Sequence, residues 1–235
     1  NEEVSISYSN SQAITSPDGI SFFCNQLGHP SLLTPNFDAK ADRVEASKWY
    51  VDEVIRRFNK LNAKYLALDG IYYVAEQLTN NRDYIPTVAD YIKSKNLKFY
   101  WIPYWGADGM GEWKNMKFDT AFLQPNYAFP QVKPDYDSHF KSIMNYASSK
   151  GMDLEMEFDE YALYNNKPGD YRADRVRDYL RAFKAYGVTT KNKIAYYQSN
   201  CMVHSLKTSE YKQDNDLYHE ICTMIVERQR RRGED

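Results

Sequence analysis

Apolar and polar positions follow two periods along the chain, and the switch between them recurs often enough to predict a fold class. In residues 41–60 the apolar side chains keep to one broad helix face that includes Val44, Val51 and Phe58. Residues 97–105 instead form a short apolar and aromatic run of the length of a buried strand. The same patterns predict helices at 41–60, 83–95, 135–150, 170–186 and 209–231, and strands at 64–76, 97–105, 118–129, 152–160 and 193–200.

Five strand–helix units therefore follow one another, and strands that alternate with helices of this length are typical of a parallel sheet. A doubly wound sheet and a (β/α)8 TIM-type barrel both fit this order. We expect the barrel, with irregular or incomplete first units, because residues 1–40 supply only short strand candidates at 4–9 and 19–23. Residues 1–235 are expected to form this single domain, since no linker-like stretch interrupts the chain.

Residues 152–160 alternate apolar and acidic side chains, which places Glu155 and Glu157 on one face of the predicted strand and Leu154 and Met156 on the other. Helices cover the outer face of a parallel sheet, where unpaired acids would be costly. We therefore expect the acidic face to point into the barrel, with Glu157 near the end of the strand that carries catalytic groups in barrel enzymes. An edge strand with a solvated acidic face is the alternative.

Glu76 supplies a second carboxyl group at the end of an earlier predicted strand. Counting back from the last predicted strand as the eighth makes this strand the fourth and the acidic strand the seventh. Glycoside hydrolysis requires two carboxyl groups, one to protonate the leaving oxygen and one to attack or to activate water. We expect Glu157 to be the nucleophile or base, Glu76 the general acid and Glu155 the reserve for Glu157. A solvated acid in the first turn of a helix is the alternative for Glu76.

Aromatic and amide side chains cluster where two predicted strands end, in the stretches "FYWIPYWGADG" (99–109) and "LQPNY" (123–127). Flat rings can stack on sugar faces, and amides and phenols can bond to hydroxyl groups. Each aromatic taken singly also fits a packed core. The expected sugar-binding residues are Tyr73, Trp101, Tyr104, Trp105, Gln124, Asn126 and Tyr127.

The segments "WIPYW", "FD", "LQPNYAF" and "LEMEFD", which fall between residues 64 and 160, resemble an uncharacterised bacterial family, a domain of unknown function. That family is found in Bacteroides-type gut bacteria and is regarded as glycoside-hydrolase-like, with a (β/α)8 barrel. The resemblance implies a barrel and glycan chemistry. The layout is similar to barrel glycosidases with an acid/base on strand four and a nucleophile on strand seven, although many of those carry Asn where this chain has Ala75.

Composition narrows the possible partners. The net charge of −2 gives no bulk attraction to nucleic acid or to anionic lipid, and no apolar run is long enough for a membrane span. Cys201 with His204 and His219 with Cys222 have zinc-like spacing, but the segment between them joins a strand to a long helix rather than forming a compact knuckle. We therefore expect no metal and no cofactor. The first ten residues do not resemble a signal peptide, and a trimmed, secreted or periplasmic chain is the expectation.

The sequence thus favours a glycoside hydrolase that acts on a neutral oligo- or polysaccharide through a carboxylate pair, with a carbohydrate as its ligand and its oligomeric state open. A non-catalytic glycan-binding barrel is the alternative. A metal-dependent hydrolase is a third possibility, which the 4 histidines disfavour. A carboxyl separation of about 5–5.5 Å would predict a retaining enzyme, and about 6.5–9.5 Å an inverting one.

Overall fold

The computed structural model describes residues 36–233, together with the backbone of residues 14–15 and 21–22. The described strands are β1 (Ile14–Thr15), β2 (Ser21–Phe22), β3 (Gly70–Tyr73), β4 (Lys98–Trp101), β5 (Thr120–Leu123), β6 (Asp153–Glu157) and β7 (Ile194–Tyr197). The described α-helices are α1 (Lys40–Leu61), α2 (Ile85–Ser94), α3 (Tyr136–Lys150), α4 (Ala173–Ala185), α5 (Val188–Lys191), α6 (Met202–Thr208) and α7 (Lys212–Arg232), and a 3-10 turn spans Glu160–Ala162.

Five of the strands form one parallel sheet in the order β3-β4-β5-β6-β7. In the centre of this register Leu154 lies between Leu123 on β5 and Ile194 on β7. Strand order follows chain order throughout, as expected when each parallel crossover places the next strand beside the last.

The expectation of a closed (β/α)8 barrel is wrong. Closure needs eight strands that each have two neighbours, whereas among the described residues β3 and β7 each have a neighbour on one side only. The early strand candidate at 4–9 lies outside the described residues. The candidate at 19–23 contains β2, which pairs antiparallel with β1 in a separate two-stranded sheet and adds nothing to the parallel one. The described fold is therefore an open α/β sheet.

The five predicted helices correspond closely to α1, α2, α3, α4 and α7. The α3 helix shows why the ends of the helices could be predicted from the sequence. Asp135 caps its first turn by accepting the backbone N–H of Ser138 at 2.9 Å, and Gly151 ends it in the left-handed region at a φ of 64°. The predicted strands are right in place but too long, and the short helices α5 and α6 were not predicted.

The described chain divides into two compact units. The first comprises the chain up to Tyr73, Leu78–Tyr100 and Glu112–Asp119, and the second comprises Val74–Gln77, Trp101–Gly111 and the chain from Thr120 onward. In the first unit Val51 on α1 and Ile92 on α2 are buried, and Phe99 stacks on Phe118 with ring centroids 4.4 Å apart. This unit therefore has an aromatic and aliphatic core of its own.

The core of the second unit includes β6 and side chains of two helices. Leu154 and Met156 are buried on one face of β6, opposite the acidic side chains of the same strand. Phe140 on α3 and Tyr179 on α4 are also fully buried and contact each other edge-on at 5.3 Å. With its apolar face packed in this way, β6 turns the acidic face to the other side of the sheet.

Candidate functional site

The acidic face of β6 is buried rather than solvated. Glu155 is 4% exposed and Glu157 is fully buried. One carboxylate oxygen of each, Oε2, lies at a buried position without a hydrogen-bond partner among the described residues. Burying a carboxyl group is costly unless it is bonded or protonated, so the surroundings of these two residues decide what they can do.

Glu157 is held by the loop after β5 and by α4. Its Oε1 accepts the backbone N–H of Tyr127 at 3.0 Å and the hydroxyl of Tyr179 at 2.8 Å. Burial raises the pKa of Glu157 to about 8, and the neighbouring charge of Glu155 raises it further, while the bonds from Tyr179 and from the backbone N–H groups of Tyr127 and Asn126 act in the opposite direction. Glu157 thus joins the core to this loop.

The network continues through Tyr127, whose ring is fully buried. Its hydroxyl donates to Asp178 Oδ2 at 2.7 Å, and Lys133 pairs with the same carboxylate at 2.7 Å. Burial and the Asp178 carboxylate raise the pKa of Tyr127 well above its ordinary value, so its hydroxyl acts as a donor. Tyr127 is a buried link between the loop and α4.

Glu155 has different neighbours, although it lies only two residues away on the same strand face. Burial raises its pKa to about 7, a hydrogen bond with the Gln124 side chain lowers it, and the charge of Glu76 raises it. Gln124 and Glu76, the two groups that act on Glu155, both line a cavity.

This cavity lies entirely within the second unit and has a volume of about 600 Å³. That volume is in the range of small-molecule binding sites. Its walls come from segments that follow β3, β4, β5, β6 and β7 in the chain. The lining residues are Glu76, Tyr104, Gln124, Asn126, Phe129, Asp159, Glu160, Tyr197 and Ser199.

The side chains that line the cavity are mainly acidic, aromatic and amide side chains. Three of the lining side chains are carboxyl groups and three are rings, and none of the described lining side chains is Lys, Arg or His. The rings of Phe129 and Tyr197 meet edge-on with centroids 5.9 Å apart. Such a surface offers hydrogen-bond acceptors and ring faces but no positive charge.

Two of the lining residues have a backbone conformation that favours glycine. Asn126 has a φ of 55° and Ser199 a φ of 49°, both in the left-handed region. Asn tolerates this region better than most residues, whereas Ser adopts it less readily. Such conformations persist where the surroundings hold them, and they are frequent at functional sites.

Asp159 and Glu160 follow directly after β6 and Phe158. Asp159 begins the 3-10 turn, where its Oδ1 accepts the backbone N–H of Tyr161 at 3.1 Å. Burial raises the pKa of Asp159, the nearby Glu160 adds to this, and Arg172 acts against it. Glu160 is exposed, and the Ser199 hydroxyl donates to its Oε2 at 3.5 Å.

The structure brings four of the ten predicted site residues to the wall of this cavity: Glu76, Tyr104, Gln124 and Asn126. Glu155 and Glu157 are buried in the same unit, and Tyr127 is buried with them. Tyr104 donates its hydroxyl to Gln77 Oε1 at 3.2 Å, next to Glu76 in the chain.

The other three predicted aromatics lie in packed surroundings. Trp101 is fully buried and its Nε1–H donates to the backbone oxygen of Ala75 at 2.7 Å. Trp105 meets Tyr146 edge-on at 5.5 Å. Tyr73 belongs to the first unit, where its ring lies 6.1 Å from that of Phe99 and 5.9 Å from that of Phe118.

Five lining residues were not among the predicted ones: Phe129, Asp159, Glu160, Tyr197 and Ser199. The alternation that singles out Glu155 and Glu157 continues to Asp159, so Asp159 could have been found from the same pattern. The rule that sites collect at the carboxyl ends of parallel strands also points to the residues after β7. For Phe129 the sequence offers no such signal.

In the part of the chain that the structure describes, no group of three or more His, Cys, Asp or Glu side chains is arranged to hold a metal ion. Cys201 and Cys222 are free thiols. No described helix combines the length and the apolar character needed to cross a bilayer.

A family described as a domain of unknown function, DUF4855, matches residues 24–223. The chain belongs to the DUF4855 family. The membership bears out the resemblance to a domain of unknown function, but it carries no statement about a glycoside-hydrolase barrel or about Bacteroides. No curated protein matches this DUF4855 chain.

Proposed function

We propose that this DUF4855 protein is a glycoside hydrolase whose catalytic carboxyl groups are Glu76 and Asp159. The observation that carries the proposal is that these two residues, 83 positions apart in the sequence, line one cavity. Hydrolysis of a glycosidic bond needs two carboxyl groups that both reach the substrate, and cavity-lining residues meet this requirement.

The remaining walls support a sugar as the ligand. Gln124 and Asn126 offer amide groups, Tyr104 and Tyr197 offer phenols, and Phe129 offers a ring face. Amides and phenols both donate and accept hydrogen bonds, so they suit a ligand rich in hydroxyl groups. The volume of about 600 Å³ accommodates a ligand of this kind.

The surroundings of the two carboxyl groups differ, and the difference assigns their roles. Asp159 is half-buried with a pKa raised by burial, which favours the protonated form that a general acid needs. Glu76 is exposed and acts as nucleophile or as the base that activates water. Paired carboxyl groups in unlike environments are the usual basis of this chemistry.

Glu155 and Glu157 take a positioning role in this proposal. Neither lines the cavity, and both have an Oε2 atom buried away from solvent. Glu155 acts on the cavity through Gln124 and Glu76, and Glu157 through the backbone of the Asn126–Tyr127 loop. A group that does not touch the substrate cannot transfer a proton to it, so the acid of the pair is assigned to Asp159.

A panel of aryl glycosides first identifies a sugar that the protein hydrolyses. The variants are then compared on two glycosides of that sugar that differ in the leaving group. Asp159→Asn should lower kcat about 10²–10⁴-fold on a nitrophenyl glycoside. It should retain most of its activity on a dinitrophenyl glycoside, because that leaving group departs without protonation. Glu76→Gln should lose activity on both substrates, since its carboxylate is needed whatever the leaving group.

The matched controls are Asp137→Asn on α3 and Glu210→Gln in the loop before α7, two exposed carboxylates away from the cavity. Both should retain the kcat of the unaltered protein. Equal loss on both substrates for Asp159→Asn would contradict its role as acid. Unchanged rates for Glu76→Gln would show that Glu76 and Asp159 are not a catalytic pair. Sugar binding without turnover across the panel would favour a non-catalytic glycan-binding protein.

A further inference from the structure

We infer that a glycan chain bound in the cavity continues over a second binding surface beside it, a tyrosine platform formed by Tyr164, Tyr171 and Tyr211. The ligand is then an oligo- or polysaccharide chain rather than a single sugar. This inference rests on the proposed function, because it names the substrate class of the cavity described there. It concerns binding alone, so it can be tested without turnover.

The platform follows the cavity wall directly in the chain. Glu160 lines the cavity and begins the 3-10 turn that ends at Ala162, and Tyr164 comes two residues after that turn. Four residues span at most about 14 Å even when fully extended, so the backbone of Tyr164 lies within this distance of that of Glu160. A glycan that leaves the cavity past Glu160 therefore reaches the platform within a few sugar units.

The ring of Tyr164 is open to a ligand. Tyr164 is 44% exposed, although it belongs to a cluster of aromatic side chains. Tyr161 shows the contrast, because Arg172 lies 4.1 Å and Lys167 lies 4.3 Å from the centre of its ring. The protein's own side chains thus cover Tyr161, whereas Tyr164 leaves apolar ring surface in contact with water. A sugar can cover such a surface with the C–H groups of one face, and this burial is favourable.

The platform is also held in place before a ligand arrives. Asp214, in the first turn of α7 and 1% exposed, accepts the backbone N–H of Tyr164 at 2.9 Å. The ring of Tyr164 meets that of Tyr171 edge-on at 5.5 Å and lies 5.4 Å from that of Tyr211. A surface that is already ordered loses little conformational entropy on binding, so its contacts contribute more fully to affinity.

Amide side chains flank the exposed ring. Asn165 and Asn166 follow Tyr164 directly and are both exposed, and Nδ2 of Asn165 donates to the Tyr211 hydroxyl at 2.8 Å. Amides donate and accept hydrogen bonds, as the hydroxyl groups of a neutral glycan require. The loop therefore repeats the combination of rings and amides that lines the cavity, and a glycan chain is the one ligand that suits both surfaces.

The experiment measures how affinity depends on chain length in the unaltered full chain, by isothermal titration calorimetry. The probes are the cello-, xylo-, manno- and malto-oligosaccharide series, each from the disaccharide to the hexasaccharide. In at least one series the hexasaccharide should bind about tenfold more tightly than the disaccharide, because only the longer chain reaches the platform. A series that the protein cleaves is titrated in the Glu76→Gln background, which keeps the cavity and should not turn over.

Removing the ring of Tyr164 ties the length dependence to the platform. Tyr164→Ala should weaken binding of the hexasaccharide about tenfold and leave that of the disaccharide unchanged. Tyr164→Phe keeps the ring and should stay within about threefold of the unaltered protein. A long chain can also bind in more positions than a short one, but this statistical gain is the same in every variant and cancels in the comparison.

Tyr186→Ala is the matched control, since Tyr186 is 43% exposed and lies at the end of α4. A helix that joins two parallel strands returns to the edge of the sheet where the next strand begins, away from the carboxyl ends of the strands. Tyr186→Ala should therefore leave the affinity for every oligosaccharide unchanged.

No binding in any series, or affinity that does not rise with chain length, would overturn the inference. It would also be overturned by a length dependence that Tyr164→Ala leaves intact, or by equal losses for the disaccharide and the hexasaccharide in this variant. These results are distinct from failure of the proposed function. Length-dependent binding through Tyr164 with no hydrolysis of any aryl glycoside would refute the hydrolase and leave the platform standing, and hydrolysis without length dependence would do the reverse.

Discussion

Glu157 and Asp159 lie two residues apart, yet their surroundings give them different chemistry. Glu157 is fully buried, and its Oε1 accepts two hydrogen bonds. Asp159 lines the cavity, and its Oδ1 accepts a hydrogen bond from the backbone of the turn that follows. The alternation in the sequence predicts both on one strand face, but β6 ends at Glu157 and Asp159 begins the 3-10 turn. What covers each residue depends on segments distant in the chain, so exposure could not be predicted from the pattern.

The buried carboxyl group of Glu157 should make the stability of the protein depend on pH. Its pKa in the folded protein, about 8, lies above the ordinary value of 4.5, so folding favours the protonated form. The folded state then binds more protons than the unfolded chain between these values, and the free energy of unfolding falls as pH rises through this window. Glu157→Gln removes this proton while keeping an acceptor oxygen for Tyr127 and Tyr179.

Urea denaturation at pH values from 5 to 8 measures the effect. The free energy of unfolding of the unaltered protein should fall with pH, and Glu157→Gln should flatten the slope by on the order of 1 kcal/mol per pH unit. Glu155, with a pKa raised to about 7, remains and leaves a residual slope. Glu210→Gln is the control at an exposed position. Parallel curves for Glu157→Gln and the unaltered protein would show that Glu157 is not protonated on folding.

At the scale of elements, the loop after β5 is shaped by α4 rather than by its own sequence. Arg175 Nη1 donates to the backbone oxygen of Ala128 at 2.9 Å and to that of Pro130 at 2.6 Å. Arg172, also buried, donates to the backbone oxygen of Phe129 at 2.9 Å. Two arginines of distant sequence thus satisfy the carbonyl groups of the loop that carries Asn126 into the cavity.

The stretch "LQPNY" was expected to lie where a strand ends; β5 ends at Leu123, and Gln124 and Asn126 line the cavity. The sequence could not show which side of the loop faces the cavity. That is decided by Arg175 and by the Tyr127 hydroxyl, which bond to partners about fifty residues away. Local pattern predicts the place of a strand, and long-range contacts decide how the following loop is oriented.

Replacing Arg175 with Met should destabilise the protein and loosen this loop. The substituted side chain keeps much of the apolar length but leaves the half-buried carbonyl oxygen of Pro130 without this donor and that of Ala128 with only the longer bond from Arg172 at 3.3 Å, and such a loss costs about 1–3 kcal/mol. Urea denaturation measures the loss, and NMR chemical shifts of the Asn126 and Tyr127 amides report the loop.

Lys184→Met is the matched control, since it lies on the same helix and is exposed. It should change the free energy of unfolding by less than about 1 kcal/mol. Equal effects of the two substitutions, or unchanged amide shifts in Arg175→Met, would contradict the role given to Arg175.

At the scale of the whole molecule, the order of helices and strands was predictable and the closure of the sheet was not. Periodicity is a property of each segment, and it located α1, α2, α3, α4 and α7. The number of strands in a sheet depends on which segments pair, and counting back from an assumed eighth strand had no support in any residue pattern. β1 and β2 show this, because they pair with each other and do not extend the parallel sheet.

An open sheet has a measurable signature, because its edge strands lack a hydrogen-bonding neighbour on one side. The central strands β5 and β6 are largely buried, whereas β3 and β7 are half-buried or exposed along their length, with Tyr197 on β7 45% exposed. Amide hydrogen exchange followed by NMR should therefore be slowest in β5 and β6. The corresponding amides of β3 and β7 should exchange at least about tenfold faster, the ratio produced by ~1.4 kcal/mol of local stability. In a closed barrel every strand has two neighbours, so equal protection of β7 and β6 would contradict the open sheet.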